Sequence, residues 1–492
     1  MYRCAKCILP TRFYAATLLL LTWLFLGCGT SSSNATNGNG QGPTITSKSS
    51  AQPRDWIKAG EYYDHFADLN APILAIPETE RAWLKYREVL PKLKAIDSWK
   101  RDAAQPDSAA WDSTVTFLNA NRNTIDQLVV ISQMPQLGFP LDADLNIDDS
   151  IAFGMLMQGK SPTPRLMETV LLATAKLSPA VYLMNAAARD AAIRNDGAAA
   201  LKYHQAALNL CNHLGQQPGG AAQRIATERT IEAFTSIRNV MQNHPQLWNA
   251  QQLNELKSAI ENFNVTGMAN VIDFDGFRSI IDTISVTRND KQGFEGALMK
   301  LGTTVAEAKD AIASPGEEID FLEGLKTKCN AEYSKAIWER TAWSANIDLQ
   351  ELTESKKKYF SPLLYPALEP TYYLTEVAQQ ERNAALVTAG LLIYHTSHGT
   401  WPQDLAELQP AIIATLPVDR FDGKPFRYAY AAEKATLYSV FLNGKEDPGA
   451  LMPIPTSITI AQLLAEKTAV AKQFPGDWLL WTSGGPIPKT QD

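Results

Sequence analysis

Basic runs, cysteine pairs and catalytic signatures are all scarce in this chain of 492 residues. No Lys/Arg run is long enough to form a nucleic-acid stripe, and the densest cluster, Lys356-Lys357-Lys358, reads as a solvated helix face. With 45 basic against 52 acidic side chains the net charge is -7, so nucleic acid is not an expected partner. Gly-x-Ser-x-Gly, His-Glu-x-x-His and the phosphate-binding glycine loop do not occur, which removes the usual signposts to an enzyme. Gly38-x-Gly40-x-Gly42 has neither a strand before it nor a helix after it, and is no dinucleotide fingerprint. Ser355-x-x-Lys358 lacks the companion elements that would give it chemistry. There is also no repeat at a period of about 34 residues.

What is present begins at the N-terminus. Residues 1–12 carry Arg3, Lys6 and Arg12 and no acid; residues 13–26 are apolar but for Thr17 and Thr22; Gly27-Cys28 closes the run. A basic start, a short apolar stretch and a small residue describe an export signal, residues 1–27. Fourteen apolar residues at ~1.5 Å each fall short of a bilayer core of about 30 Å. The ending resembles a bacterial lipobox, with Phe25 where Leu is usual. That resemblance implies an exported protein anchored to a cell-envelope membrane through lipidated Cys28; the other reading is a plain cleaved signal with an incidental cysteine. The mature chain would be 465 residues (492 less 27), with a charge near -10 once three basic residues are lost. Residues 28–54 then read as a lipidated flexible tether, because 29–52 are Ser, Thr, Asn and Gly with almost nothing to bury.

Residues 55–366 read as a mostly helical body. Apolar residues recur at helical spacing over 83–99 and 113–134. The pattern then predicts one helix over 165–176 and a second opened by Ser178-Pro179 and running to Arg194. A turn and cap at Asn195-Asp196-Gly197 precede a third over 198–214. Alanines on both sides of that turn allow antiparallel helices to approach closely. Gln216-Gln217-Pro218-Gly219-Gly220 breaks the pattern before a helix over 221–243. Residues 264–317 are less regular, with a small acidic turn expected at 272–276, and helix returns over 318–359 with Trp338, Trp343 and Leu349 packed inward. The body resembles tetratricopeptide-type helical hairpins in architecture. Cys211 and Cys329 sit in apolar helical surroundings, as two buried thiols or one bridge. His204, Cys211 and His213 are close on one helix, but Cys211 and His213 point to different faces and read as core and surface.

The most legible stretch is 381–447. A helix over 371–395 ends near His398-Gly399, Trp401-Pro402 follows, and Asp422-Gly423-Lys424-Pro425 opens strands at 426–430 and 436–441 joined by a loop over 431–435. A helix over 460–472 and a third strand at 477–481 complete the region. This pattern resembles the soluble C-terminal part of the major pseudopilins of type II secretion. The resemblance implies a small α+β module, residues 367–492, fused after another domain. The apolar anchor and peptidase site of a pilus subunit are absent. It also implies calcium in the loop after the second strand. Aligned from Tyr438-Ser439, the family's acidic ligand falls on Asn443, with Glu446 and Asp447 close behind to supply oxygens.

Other chemistry is thinner. His395 and His398 lie one turn apart, half of a zinc site that no further ligand pattern completes, and His398 reads as a capping residue. Asp273 with Asp275, and Asp419 with Asp422, have the spacing of paired carboxylates but also of solvated turns. Trp401, Trp478 and Trp481 suit a sugar site or a core. The sequence therefore leads to a mainly α protein with a small α+β tail, acting as a non-catalytic interaction or scaffold protein for an envelope partner. The alternative is an envelope-polymer hydrolase whose active site carries no motif.

Overall fold

The computed structural model describes residues 44–46, 53, 61–94, 104–155, 166–289, 315–340, 348, 368–441, 445–446, 451–452 and 476–484. It is mainly helical, with a small sheet near the C-terminus. The first elements are a parallel pair, β1 (Thr44–Thr46) and β2 (Glu61–Tyr63), in register Thr44 to Glu61. β1 lies inside the segment expected to be tether. Thr-Ile-Thr is its one run of β-branched residues, the kind that favours a strand.

Five helices follow: α1 (His65–Leu74), α2 (Ala82–Val89), α3 (Trp111–Ala120), α4 (Arg122–Ser132) and α5 (Ile147–Phe153). The helix expected over 83–99 stops at Val89, where a short turn carrying Pro91 takes over. That expected over 113–134 is divided at Asn121, whose side chain donates to the Phe117 carbonyl at 2.9 Å and ends α3.

The centre is built from α6 (Leu172–Ile193), α7 (Gly197–Gly215), α8 (Gly220–Asn243) and α9 (Ala250–Glu261). Two helices were expected in place of α6, divided at Ser178-Pro179, yet Pro179 lies inside one continuous helix. The ring removes one backbone bond at a cost of about 3 kcal/mol. α6 is buried on nearly every side, and that burial holds it straight through the proline. The α6–α7 turn is as the sequence suggests: Asn195 is left-handed at φ 58°, and the Asp196 carboxylate accepts from Ala199 N at 3.0 Å. Ala186, Ala188, Ala191, Ala200 and Ala207 are fully buried along the hairpin, the most extensive helix pairing among the described residues.

α10 (Ala269–Asp273) continues through a π-turn (Phe274–Arg278) into α11 (Ser279–Asn289), where an acidic turn was expected. The widened turn delivers the Asp275 carboxylate to the Gly220 amide, the first residue of α8. Of the helix expected over 318–359, α12 (Pro315–Tyr333) covers the first part, and nearly all of 341–359 lies outside the described residues. Trp338, expected inside, is 38% exposed beneath the Arg420 guanidinium, and Trp343 and Leu349 lie outside the described residues.

α13 (Leu368–His398), about 46 Å long at ~1.5 Å per residue, packs against α8 and α9 and ends at left-handed Gly399. The sheet comprises β3 (Arg427–Ala431), β4 (Lys434–Ser439), β5 (Leu451–Met452) and β6 (Asp477–Thr482), in the order β3-β4-β6-β5. β4 is antiparallel to both β3 and β6, and β5 runs parallel to β6. The β3–β4 hairpin is tighter than the expected loop over 431–435. Ala431 already pairs with Lys434, leaving Ala432 and Glu433 at φ 49° and 62°, the two left-handed positions of a primed hairpin turn. The helix expected over 460–472 falls outside the described residues.

One hydrophobic core runs from Trp83 and Tyr86 through α6–α9 and α13 to Phe421, Phe441 and Trp481. Where α8 meets α13 and β6, Arg238 forms a two-pronged ion pair with Glu381 and donates to the Leu480 carbonyl. Nearby, Arg382 donates to the Ile260 and Glu261 carbonyls at 3.0 and 2.6 Å, placing its charge on the C-terminus of α9.

Candidate functional site

α7 is amphipathic. Tyr203, Ala207, Leu210 and Leu214 face the core, while Lys202, Gln205, Asn209 and Asn212 recur at three- and four-residue spacing on the opposite stripe. α9 repeats the arrangement, with Leu253, Leu256 and Ile260 buried and Gln251, Asn254, Ser258 and Asn262 outward. α4 adds Gln133 at its C-terminal cap. These three helices wall a groove of about 280 Å³ over α7, continuous along α9 with a shallower depression that shares Gln205, Ala259 and Asn262. Its floor is apolar: Val129, Ala206, Leu208 and Phe263 are buried and Ala259 is half-buried.

The groove is lined by carboxamides. Gln133, Asn212 and Asn262 are exposed, and Gln205 and Asn209 half-buried. Among the described residues none of these five side chains has a hydrogen-bond partner in the protein. Each offers both a donor and an acceptor. Charge is nearly absent. Lys202 is held by Asp126 at 2.7 Å, and the same carboxylate accepts from the Tyr203 hydroxyl at 3.4 Å. Burial works against the Lys202 charge, but Asp126 outweighs it and keeps the ammonium above its usual range. At the shallow end Glu255 accepts from Gln251 at 2.9 Å. Such a surface suits a neutral ligand rich in both donors and acceptors.

The residues singled out from sequence mostly serve the fold. His213, given a possible surface role, is buried: its Nε2 faces the Met134 carbonyl at 2.6 Å and its Nδ1 the Tyr86 hydroxyl at 3.0 Å. Since a carbonyl only accepts, Nε2 carries the proton and Nδ1 accepts from Tyr86. Burial pushes the His213 imidazole down to about 4. His204 and Cys211 are buried on the same helix. His395 stacks on Trp401 at 4.1 Å and His398 on Tyr394 at 4.1 Å, so the two rings are engaged separately.

The paired carboxylates part company. Asp273 binds Arg278 and Lys326, while Asp275 is buried against Gly220, which leaves its carboxyl raised to about 6. Asp419 accepts from the Phe421 and Val440 amides and from Gln380, and Asp422 accepts from the Lys424 amide and from Arg427. Trp478 and Trp481 are in the core, and Trp401 meets Trp481 edge-on at 5.0 Å.

Of the suggested calcium ligands, Glu446 is exposed and accepts from the Tyr438 hydroxyl at 3.4 Å; Asn443 and Asp447 lie outside the described residues, as does Cys28. No group of three His, Cys, Asp or Glu side chains is placed to hold a metal among the described residues. The groove was missed in the sequence because its side chains look like ordinary solvated helix faces. The available signal was amides, including the weak helix formers Asn209 and Asn212, where Lys and Glu are more usual. Compared with known proteins, the chain matches no family model, no curated sequence and no solved structure.

Proposed function

We propose that this chain is a lipid-anchored bacterial envelope protein that acts without catalysis, its helical body holding another envelope protein in the groove over α7. The observation that carries the reading is the convergence of five unpartnered carboxamides from α4, α7 and the end of α9. The lipobox-like Gly27-Cys28 supports the anchor. The pseudopilin-like pattern of α13 and its sheet supports a soluble module used as a brace. Arg382 of α13 grips the last carbonyls of α9 next to Asn262, and so sets one wall of the groove. The hairpin-like pairing of α6 and α7 supports a likeness to tetratricopeptide bodies, which present extended surfaces to partners. Calcium at Asn443, Glu446 and Asp447 belongs to the same reading, as a stiffener of the loop after β4. Unfolding with and without a calcium chelator tests it.

The main test is photo-crosslinking in cells from a photoreactive residue replacing Gln133, followed by purification from membranes. One reproducible envelope protein attached at that position is the expected result. Recovery of the chain alone would remove the binding reading. A Cys28→Ser variant should leave the membrane fraction; if it stays, the anchor is not Cys28.

A further inference from the structure

The groove's chemistry also restricts what it takes. We infer that its ligand is an extended, uncharged stretch of polypeptide, recognised through its backbone rather than its side-chain charge. This rests on the groove being the binding site and adds the class of partner segment.

A peptide unit presents one N–H donor and one C=O acceptor, and an Asn or Gln carboxamide presents the matching pair. Charged side chains supply only one of these. In this groove the chargeable residues are occupied, Lys202 by Asp126 and Glu255 by Gln251, whereas Gln133, Gln205, Asn209, Asn212 and Asn262 are free to turn toward a ligand. Among the described residues an anion would find no unpaired cation in the groove, and the one carboxylate without a cationic partner, Glu255, lies at the shallow end rather than over α7.

The dimensions agree. From Lys202 to Asn212 the α7 stripe runs about 15 Å at ~1.5 Å per residue, the length of four to five residues of extended chain at ~3.3 Å each. Alternate residues of an extended chain point one way, and the apolar floor at Val129, Ala206 and half-buried Ala259 faces the small apolar side chains on that side. A glycan offers comparable hydroxyls but binds best with an aromatic platform. Among the described residues the one aromatic ring at the groove, Phe263, is 4% exposed and meets Phe234 edge-on beneath the floor. Polypeptide is therefore the favoured occupant.

The test uses the full chain and three probes: fluorescein-labelled peptides of Ala, Ser and Val; the same peptides with N-methylated backbones; and labelled chitin oligosaccharides. The unmethylated peptides should bind with little regard to the order of their side chains, and the methylated ones should not. Asn209→Ala/Asn212→Ala removes two amides from positions where Ala is the better helix former, so folding should be retained, as checked by circular dichroism and unfolding midpoint. It should weaken peptide binding about tenfold or more. Asn209→Asp/Asn212→Asp keeps the size, loses the donors, and should weaken it similarly.

Failure of the unmethylated peptides to bind overturns the inference, as does equal binding of the methylated ones. Chitin binding that is lost in the Asn209→Ala/Asn212→Ala variant leaves the groove as the site but overturns the polypeptide assignment. Peptide binding unchanged in both variants overturns the groove itself, and with it the reading on which this inference stands.

Discussion

Arg238 of α8 and Glu381 of α13 meet at 2.9 Å with both side chains only 4% exposed, and the same guanidinium reaches the Leu480 carbonyl of β6. The pair joins the helical body to the C-terminal sheet inside one core, rather than across a solvated boundary. Its removal therefore bears on the whole molecule.

Taking away one partner leaves the other buried and uncompensated, which costs about 3–5 kcal/mol. Arg238→Met and Glu381→Leu should each lower the unfolding free energy by that amount, and the double variant should recover most of the loss. A double variant as unstable as the sum of the singles would show that packing, not charge, holds this seam. The measurement is equilibrium unfolding of all three against the parent chain.

Histidine burial gives an acid dependence with a definite sign. His213 titrates near 6.5 when unfolded and is pushed down to about 4 by burial when folded. The unfolded chain thus binds more protons between those values, so this contribution is complete above pH 6.5 and is lost as pH falls toward 4. It amounts to roughly 3 kcal/mol. Asp275 acts the other way. Its folded value, raised to about 6 by burial, makes the fold lose stability as pH rises from about 4 through 6. His213→Gln can keep both hydrogen bonds, donating to Met134 and accepting from Tyr86, but cannot titrate. Unfolding midpoints from pH 4 to 7 should be flatter in this variant, and parallel curves would exclude His213 as a source.

How much of this was legible in the sequence depends on how far the cause lies from the residue. Asp196 capping Ala199, Gly399 ending α13 and the turn at Asp422-Gly423 are local, and their residues announce them. The π-turn at Phe274–Arg278 is not local, since Asp275 is placed by a backbone amide 55 residues away. His213 reads as a surface residue but is buried, because its partner Tyr86 is 127 residues away. The groove needs three helices to exist, and from one helix at a time Gln205 and Asn209 are ordinary polar residues.

The two core cysteines should be inert in the folded protein. Cys211 and Cys329 are not bridged to each other and are buried in separate apolar clusters, and burial pushes the Cys211 thiol up to about 12. Alkylation under native conditions without reductant should leave peptides carrying either residue unmodified, and alkylation after unfolding should modify both. A disulfide-linked peptide pair after unfolding would contradict the structure directly.

Two glycines separate close approach from mere helix weakness. A Cβ on Gly197 would lie 2.4 Å from the Leu247 carbonyl oxygen, where Trp248 also donates to the Gly197 carbonyl at 2.8 Å. Gly197→Ala should therefore destabilise by about 1–3 kcal/mol. Gly324, exposed within α12, has nothing within 4 Å of its Cβ position, and Gly324→Ala should stabilise by about 0.5–1 kcal/mol. Thermal unfolding of the two variants should move in opposite directions, and a shift in the same direction would place the α7 turn farther from Leu247 than described.

The seam at Arg238 also sets an order of events on the ribosome. Arg238 is synthesised 143 residues before Glu381 and 242 before Leu480. At ~5–20 residues per second the wait for β6 is on the order of 10–50 s. During that interval α8 can form with its neighbours α6 and α7, but its guanidinium lacks Glu381 for the first 143 residues and the Leu480 carbonyl until β6 arrives. Until both partners are in place Arg238 stays solvated, because burying its charge without them would cost several kcal/mol.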